Sequence, residues 1–211
     1  MDFLRPVEAV IPGAQGKLLA VFAETNAGLS VRTASRLSGV SLAQTSRILP
    51  DLAAFGILER TDVPPSIVYR LIEENVASRS IRLLARSRDL VLVELGEAAR
   101  SMVIPPVSVV VFGSLARGNA DQDSDVDILI VRRNGVENTS TWSESVEQWR
   151  LSARRLTGND VDVMEAEEHS IASRLRSRRP VWQDISRDGI VLFGKTLDEL
   201  RVPESRAVHV A

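Results

Sequence analysis

Two aspartates at alternate positions, Asp125 and Asp127, are the residues of this sequence that most directly suggest chemistry. The apolar run at residues 126–131 around them predicts a β-strand. Because side chains alternate between the two faces of a strand, both carboxylates point the same way and repel each other. A cation between them relieves that repulsion, and Mg²⁺ is typically bound by one or two carboxylates together with substrate phosphates. The pair therefore predicts a divalent-metal site.

The stretch before this pair suits phosphate binding. A second apolar run, residues 107–112, ends at Gly113 and Ser114 and leads into a short helical turn. Glycine lets the backbone approach a ligand closely, and N–H groups at a helix start bind anionic oxygens. Together with the two aspartates, this turn predicts a site for a metal-bound triphosphate.

Composition excludes several other kinds of site. The chain of 211 residues is long enough for one large or two small domains, and it has no cysteine. Disulfides, thiolate zinc sites and cysteine nucleophiles are therefore excluded. The only imidazoles belong to His169 and His209, which argues against a histidine-based metal site.

Charge and hydropathy set expectations about location and partners. We expect a cytoplasmic protein without membrane contact, because no apolar run is long enough to span a bilayer and no signal peptide is recognisable. The net charge of −2 means that contact with nucleic acid must come from a local patch. Lysine occurs only at Lys17 and Lys195, and this arginine bias indicates a bacterial protein from a GC-rich genome.

The chain divides near Pro105 and Pro106, which stop a helix. Helical patterns dominate before this point, and strands alternate with helices after it, so we expect an α+β/α/β protein. We expect a first domain at residues 1–75, connecting helices at 76–104 and a second domain at 105–211. The expected strands of the second domain are 107–112, 126–131, 161–164 and 190–193, with helices at about 141–156 and 166–177.

The first domain has the pattern of a winged helix-turn-helix. Helices are predicted at 16–25, 31–37 and 42–55, followed by strands at 57–60 and 67–71. Ser30 and Ser41 can cap the second and third helices, and Gly39 suits the turn between them. This order, mostly α with a β-hairpin, resembles bacterial winged-helix regulators over about residues 16–71, with residues 30–49 carrying the resemblance.

Such modules place the second helix of the pair in the DNA major groove. No acidic residue falls between Val31 and Leu49, which favours DNA binding. The hairpin tip contains Asp62 and no basic residue, which favours the alternative of protein docking or dimerisation. The candidate DNA-binding residues are Arg32, Ser41, Gln44, Thr45 and Arg47.

The second domain resembles the DNA polymerase β-type nucleotidyltransferase superfamily. Residues 113–118 (Gly-Ser-Leu-Ala-Arg-Gly), then residues 125–127 (Asp-Val-Asp) and residues 160–162 (Asp-Val-Asp) carry the resemblance. It extends over about residues 90–195 and is strongest to the minimal nucleotidyltransferase branch. The resemblance implies a small domain with a mixed sheet and flanking helices.

The resemblance also implies roles for individual residues. Asp125 and Asp127 would bind two Mg²⁺ ions, with Mn²⁺ as a substitute, and Asp162 would complete the catalytic and metal-binding set. Asp160, two residues earlier on the same face, is the rival of Asp162. Gly113, Ser114 and Arg117 would bind the nucleotide, although a salt bridge from Arg117 to Asp121, Asp123 or Asp125 is the alternative.

Two functions from different classes follow. One is an Mg²⁺-dependent enzyme that transfers a nucleoside monophosphate from a nucleoside triphosphate (NTP) to a macromolecular acceptor, either a protein or an RNA. The other is a DNA-binding regulator or toxin–antitoxin component whose nucleotidyltransferase-like domain binds nucleotide or a partner without turnover. An open cleft completed by a homodimer is compatible with both. Four arginines close together suit either a solvated helix end or RNA binding: Arg174, Arg176, Arg178 and Arg179.

Overall fold

The fold comes from a computed structural model that describes residues 1–136 and 139–202. Contacts divide the chain into two compact units. The N-terminal unit holds residues 4–87 with Asp2, and the C-terminal unit holds the described residues 88–136 and 139–202 with Met1 and Phe3. The domain boundaries expected at residues 75 and 105 stay a prediction. The imidazole of His209 lies outside the described residues. No helix in the described chain combines the length and apolarity that a membrane crossing needs.

The N-terminal unit consists of five helices and a three-stranded antiparallel sheet with strand order β1-β3-β2. Its buried centre is apolar and includes Leu18, Phe22, Leu49 and Leu52. The elements are α1 (Pro6–Val10), α2 (Ala14–Ala23), β1 (Leu29–Ser30), α3 (Val31–Ser38), α4 (Leu42–Ala54), β2 (Leu58–Val63), β3 (Ser66–Leu71) and α5 (Val76–Ala85).

Side-chain caps explain where the helix-turn-helix pair begins. The Ser30 hydroxyl accepts a hydrogen bond from the Thr33 N–H at 3.1 Å, and the Ser41 hydroxyl accepts one from the Gln44 N–H at 3.3 Å. Each cap satisfies an N–H group that the helix leaves without a partner. Gly39 ends α3 in the left-handed region, with φ of 67°. The predicted caps and the predicted glycine turn are therefore confirmed.

The C-terminal unit is built on a four-stranded mixed sheet with strand order β6-β5-β4-β7. Strands β5 and β6 are parallel, whereas β4 is antiparallel to both β5 and β7. The expected mixed sheet with flanking helices is confirmed. The elements are α6 (Ser87–Arg100), β4 (Ser108–Phe112), α7 (Gly113–Arg117), β5 (Val126–Arg132), α8 (Ser140–Thr157), β6 (Val161–Glu167), α9 (Glu168–Leu175), α10 (Pro180–Asp188), β7 (Ile190–Gly194) and α11 (Leu197–Arg201).

Both faces of this sheet are covered, so β4 is buried along its whole length. Alternate residues of β5 enter different cores. Ile128 and Ile130 pack with residues of α6 and α8, whereas Leu129 and Val131 pack with residues of α9 and α10. Asp127 is two residues before Leu129 in the same strand, so its side chain points to the same sheet face, the one that α9 and α10 cover.

Candidate functional site

The pairing of β5 with β6 brings two carboxylates together. Asp127 and Asp162 are direct partners across these parallel strands, so their side chains project from the same face. Asp160 lies before β6 begins, and its carboxylate is 3.1 Å from the Arg154 guanidinium. Of the two rivals, the register therefore brings Asp162 beside Asp127 and leaves Asp160 in an exposed ion pair.

The other side of Asp127 contacts the glycine turn. Phe112, the last residue of β4, pairs with Asp127, and Gly113 follows with φ of 68°. A β-carbon on Gly113 would lie 1.9 Å from Oδ2 of Asp127. Glycine is thus required twice, by the left-handed backbone and by the carboxylate that lies against its α-carbon.

The electrostatics of Asp127 fit a cation site. The pKa of Asp127 is raised by its partial burial, then by the negative charges of Asp162 and Asp125, while Arg117 acts in the opposite direction. Together with Asp125 and Asp162, Asp127 offers carboxylate oxygens, the hard donors that suit Mg²⁺. Within the described residues no three such side chains already enclose an ion position. Mg²⁺ bound at such a set would take further oxygens from phosphate and water.

Arg117 lies near this set but pairs elsewhere. Its Nη1 is 3.5 Å from Oδ2 of Asp188, so the expected alternative of a bridge to Asp121, Asp123 or Asp125 is wrong.

Asp188, at the end of α10, also accepts hydrogen bonds from Nε and Nη2 of Arg187 at 2.9 and 2.8 Å. These bonds, followed by the Arg117 contact, lower the pKa of Asp188. Sequence reasoning missed Asp188, because it lies about 70 residues beyond the motif and reaches it only through the fold.

A buried asparagine organises the turn that precedes Asp125. The side-chain amide of Asn159 donates hydrogen bonds to the carbonyls of Asp121 and Ser124, at 3.1 and 2.9 Å. Within the turn the Ser124 hydroxyl donates to Oδ1 of Asp121 at 2.6 Å, which lowers the pKa of Asp121. Asn159 therefore connects the start of β6 to the aspartate turn, a role that sequence reasoning also missed.

Helix α7 is held at its C-terminal end by an arginine that sequence reasoning did not assign to the site. Arg88 donates from Nε to the Leu115 carbonyl at 2.8 Å and from Nη2 to the Ala116 carbonyl at 2.6 Å. At the other end, Phe112 provides no side-chain cap, and Ser114 is partly exposed. The Arg88 hydrogen bonds thus hold the C-terminal end of α7, while Ser114 in its first turn stays partly exposed.

In the N-terminal unit, four of the five candidate DNA-binding residues lie on the surface of α3 and α4: Arg32, Ser41, Gln44 and Arg47. Thr45 does not, because it is completely buried and its hydroxyl donates to the Ser41 carbonyl at 3.0 Å. The sequence interpretation of Thr45 as a DNA contact is therefore wrong. Its face of α4 packs into the core together with Leu49 and Leu52.

Comparison with known proteins assigns both parts of the chain. Residues 92–179 match the family model of the nucleotidyltransferase domain, and residues 16–62 match that of the IclR helix-turn-helix domain. No curated protein matches the chain.

Three solved structures resemble parts of it. A toxin–antitoxin structure with AMP-PNP is 19% identical over 50% of this chain and 76% of its own, with a TM-score of 0.35. A mutant of the toxin–antitoxin MntA-HpeT is 18% identical over 51% of this chain and 78% of its own, with a TM-score of 0.36. TrmBL2, an archaeal chromatin protein, is 14% identical over 90% of this chain and 78% of its own, with a TM-score of 0.31.

Because these TM-scores are below 0.5, the assignment of the two domains rests on the family models and the site geometry and not on these structures. The predicted turn, strand and aspartate pattern at residues 113–162 lies within the first matched region, and the predicted helix-turn-helix lies within the second. The chain therefore contains a nucleotidyltransferase domain preceded by a helix-turn-helix domain of the IclR type.

Proposed function

We propose that the C-terminal unit transfers a nucleoside monophosphate from an NTP to an acceptor hydroxyl and releases pyrophosphate. One observation carries this proposal: the register that sets Asp162 beside Asp127, while Asp127 lies against Gly113. The same carboxylate thus borders both the second acidic strand and the glycine turn. That arrangement suits a substrate with a phosphate chain and a reacting hydroxyl close together.

Asp125, Asp127 and Asp162 would hold the divalent cation. When bound, Mg²⁺ neutralises charge on the phosphates and stabilises the attacking and leaving oxygens. Gly113 leaves room for the Asp127 carboxylate beside its α-carbon, so the cation would lie next to the glycine turn, and Ser114 offers its hydroxyl to the phosphate oxygens. Asp162 is exposed, so its carboxylate is accessible to an acceptor hydroxyl and can accept its proton.

Arg117 would contribute positive charge to the same region. Its guanidinium is shared with Asp188 at 3.5 Å, a long contact that leaves donors for a phosphate. The transfer itself forms a bond from the acceptor oxygen to the α-phosphorus and breaks the bond from that phosphorus to the bridging oxygen of pyrophosphate. Most of the rate enhancement comes from positioning and charge stabilisation rather than from a covalent enzyme intermediate.

The test is incorporation of label from each α-labelled NTP, with Mg²⁺ and a cell extract as the source of acceptor. We expect wild-type protein to label an acceptor and Asp125→Asn/Asp127→Asn to label none. Asp123→Asn is the matched control, because Asp123 is an exposed carboxylate in the same turn. Labelling that survives in the double variant, or that disappears equally in the control, contradicts the proposal.

A second candidate activity belongs to the N-terminal unit, where residues 31–49 of α3, the turn and the first part of α4 contain no acidic residue and favour DNA binding. Arg32 and Arg47 are both exposed in this stretch, and neither has a carboxylate partner among the described residues. In a helix-turn-helix these positions meet the major groove and its phosphates. Together with the first proposal, this gives a nucleotidyltransferase coupled to a DNA-binding module.

A gel shift with duplex DNA from upstream of the protein's own gene tests this second activity. We expect salt-dependent binding that Arg32→Gln/Arg47→Gln weakens and Arg79→Gln does not. A regulator without turnover would bind this DNA while wild-type protein labels no acceptor. Absence of binding at low salt would leave the helix-turn-helix as a protein-docking module.

A further inference from the structure

Helix α7 begins between two acidic segments at one end of the sheet. It follows β4 directly, and β4 is paired with β5 on one side and with β7 on the other. From β5, Asp127 lies opposite Phe112, the last residue of β4. On the other side Ile190, the first residue of β7, pairs with Val111. The segment that leads into β7 therefore lies beside the start of α7, across from the carboxylate site.

That segment contains Asp188, the last residue of α10. A β-carbon on the next residue, Gly189, would lie 2.4 Å from the Ile185 carbonyl oxygen and 3.0 Å from Cγ1 of Val110. Only glycine allows the end of α10 to pack this closely against β4. This packing fixes Asp188 next to α7, and its side chain is only 16% exposed.

Asp188 has a close partner on its own helix and a distant one on α7. Arg187 donates to both carboxylate oxygens, from Nε to Oδ1 at 2.9 Å and from Nη2 to Oδ2 at 2.8 Å. A two-point pair of this kind has a fixed geometry. Nη1 of Arg117 shares Oδ2 from 3.5 Å. Asp188 is thus held by Arg187 and in turn limits where the Arg117 guanidinium can lie.

The charge of Arg117 also reaches the carboxylate site. The pKa of Asp127 is raised first by burial and then by the negative charges of Asp162 and Asp125. Arg117 acts in the opposite direction. The guanidinium beside Asp188 is therefore close enough to the three aspartates to act on a phosphate chain bound next to them.

We propose that Asp188 is a positioning residue that holds the Arg117 guanidinium where it contacts the phosphate chain of a bound NTP. This inference rests on the proposed function, because it assumes that the NTP lies beside Gly113 and the aspartates. Without Asp188, the Arg117 side chain has more freedom to lose when the nucleotide binds. The order of action runs from Arg187 to Asp188, then to Arg117 and the substrate.

The opposite role, in which Asp188 competes with phosphate for Arg117, predicts the opposite result. A competing carboxylate has to be displaced, so its removal would tighten NTP binding. The geometry favours positioning, because 3.5 Å is long for a charge-assisted hydrogen bond and Asp188 keeps Arg187 as a partner when Arg117 moves. This contact also uses one nitrogen of the guanidinium and leaves other N–H donors for phosphate.

The test is a double-mutant cycle, measured by isothermal titration of NTP in the presence of Mg²⁺ and without acceptor. All four NTPs are titrated into wild type, and the one that binds most tightly is used for Asp188→Asn, Arg117→Gln and the combined variant. Asparagine keeps the shape of the Asp188 side chain. Asp184→Asn is the matched control, because Asp184 also pairs with Arg187, at 2.7 Å, but is not a partner of Arg117 in the described chain.

We expect Asp188→Asn to raise the Kd for NTP by about three- to tenfold, the scale of one side chain that must be ordered on binding. The combined variant should bind no more weakly than Arg117→Gln alone, because Asp188 acts through Arg117. The control should bind like wild type. In labelling assays with Asp188→Asn, the KM for NTP should rise with Kd while kcat stays nearly unchanged.

Structural damage has a different signature, because a partly unfolded variant binds with lower stoichiometry at an unchanged Kd. A loss of stoichiometry alone would therefore overturn the inference. Tighter or unchanged binding in Asp188→Asn, an equal loss in Asp184→Asn, or additive effects in the cycle would overturn it as well.

The binding measurement separates this inference from the proposed function. If Asp188→Asn binds NTP normally while Asp125→Asn/Asp127→Asn abolishes labelling, the inference is wrong and the proposed transfer stands. If the cycle shows the expected coupling but wild-type protein labels no acceptor, Asp188 positions Arg117 in a domain that binds nucleotide, and the proposed transfer is wrong. Absence of NTP binding to wild type would overturn both.

Discussion

The carboxylate of Asp127 fills the space where a β-carbon on Gly113 would lie, 1.9 Å from Oδ2. The glycine turn and the aspartate strand are therefore two halves of one contact rather than two adjacent motifs. Because Phe112 of β4 pairs with Asp127 of β5, the register of these two strands places the Asp127 carboxylate against Gly113.

Replacement of Gly113 by alanine should therefore destabilise the C-terminal unit and abolish nucleotidyl transfer. The new methyl group meets the carboxylate, and the left-handed backbone adds strain, for a combined cost of about 2–4 kcal/mol in the free energy of unfolding. Chemical denaturation and acceptor labelling measure the two effects. Gly135→Ala is the control, since Gly135 has φ of 76° but nothing within 4 Å of its β-position. It should lose only about 1 kcal/mol and keep activity.

Asp127→Asn should raise the melting temperature of the metal-free protein while removing its response to Mg²⁺. The raised pKa of Asp127 means that its ionised form is disfavoured in the folded state, so this carboxylate opposes folding at neutral pH. The neutral amide relieves that cost, by less than about 1 kcal/mol because the side chain is half exposed. A cation that binds only the folded wild-type protein raises its melting temperature as the cation concentration increases. With enough Mg²⁺, wild type should therefore melt at a higher temperature than Asp127→Asn.

Thermal melts with and without Mg²⁺ measure this crossover, and Asp123→Asn is the control. Equal Mg²⁺ stabilisation of wild type and Asp127→Asn would contradict a metal site at Asp127. A fall in the metal-free melting temperature would instead show that the carboxylate supports the fold.

Local chemistry explains what could be predicted from the sequence. Helix caps and tight turns depend on residues that are close in the sequence. The capping roles of Ser30 and Ser41 and the turn at Gly39 could therefore be recognised without a structure. Apolar runs likewise located the strands of the mixed sheet. The family resemblance then gave the order of the glycine turn and the aspartates, which a lone Asp-x-Asp would not have identified.

What could not be predicted depends on long-range packing. Thr45 reads as a polar surface residue, but the helix phase buries it and its hydroxyl finds a carbonyl one turn earlier. Asn159 and Asp188 contact the site from segments distant in the sequence, and only strand register and helix packing bring them there. Helix α10 also went unpredicted, because its apolar residues are few and its tertiary contacts define it.

Asn159→Ala should reduce transfer by displacing Asp125 rather than by removing a ligand. The variant leaves the carbonyls of Asp121 and Ser124 without their amide donor, at a cost of about 1–2 kcal/mol for these partly buried groups. Because the turn then loosens, Mg²⁺ affinity should fall more than NTP affinity. Isothermal titration of each ligand measures this difference. Equal affinities for Mg²⁺ in the variant and wild type would contradict a positioning role for Asn159.

The two rival carboxylates at the start of β6, Asp162 in the strand and Asp160 just before it, should have clearly different effects when mutated. Asp162 is the register partner of Asp127, whereas Asp160 is held by Arg154 at 3.1 Å in an exposed pair. Asp162→Asn should therefore lower the rate of transfer by at least about 100-fold, the scale of a lost proton acceptor at a reacting hydroxyl. Asp160→Asn should change the rate only a few-fold and the stability by about 0.5 kcal/mol or less.

Initial rates of labelling at saturating NTP measure both variants, and Arg154→Gln reports on the Asp160 pair alone. If the reverse pattern is found, with Asp160→Asn inactive and Asp162→Asn active, then the strands must shift by two residues when substrate binds. That shift would break the pairing of Asp127 with Asp162 and replace it with Asp127 beside Asp160. The Asp160 carbonyl accepts a hydrogen bond from the Val126 N–H at 2.8 Å. A shift by two residues would break this bond and the other backbone hydrogen bonds that join β5 to β6. The energetic cost of that disruption is the reason to expect Asp162 as the third carboxylate.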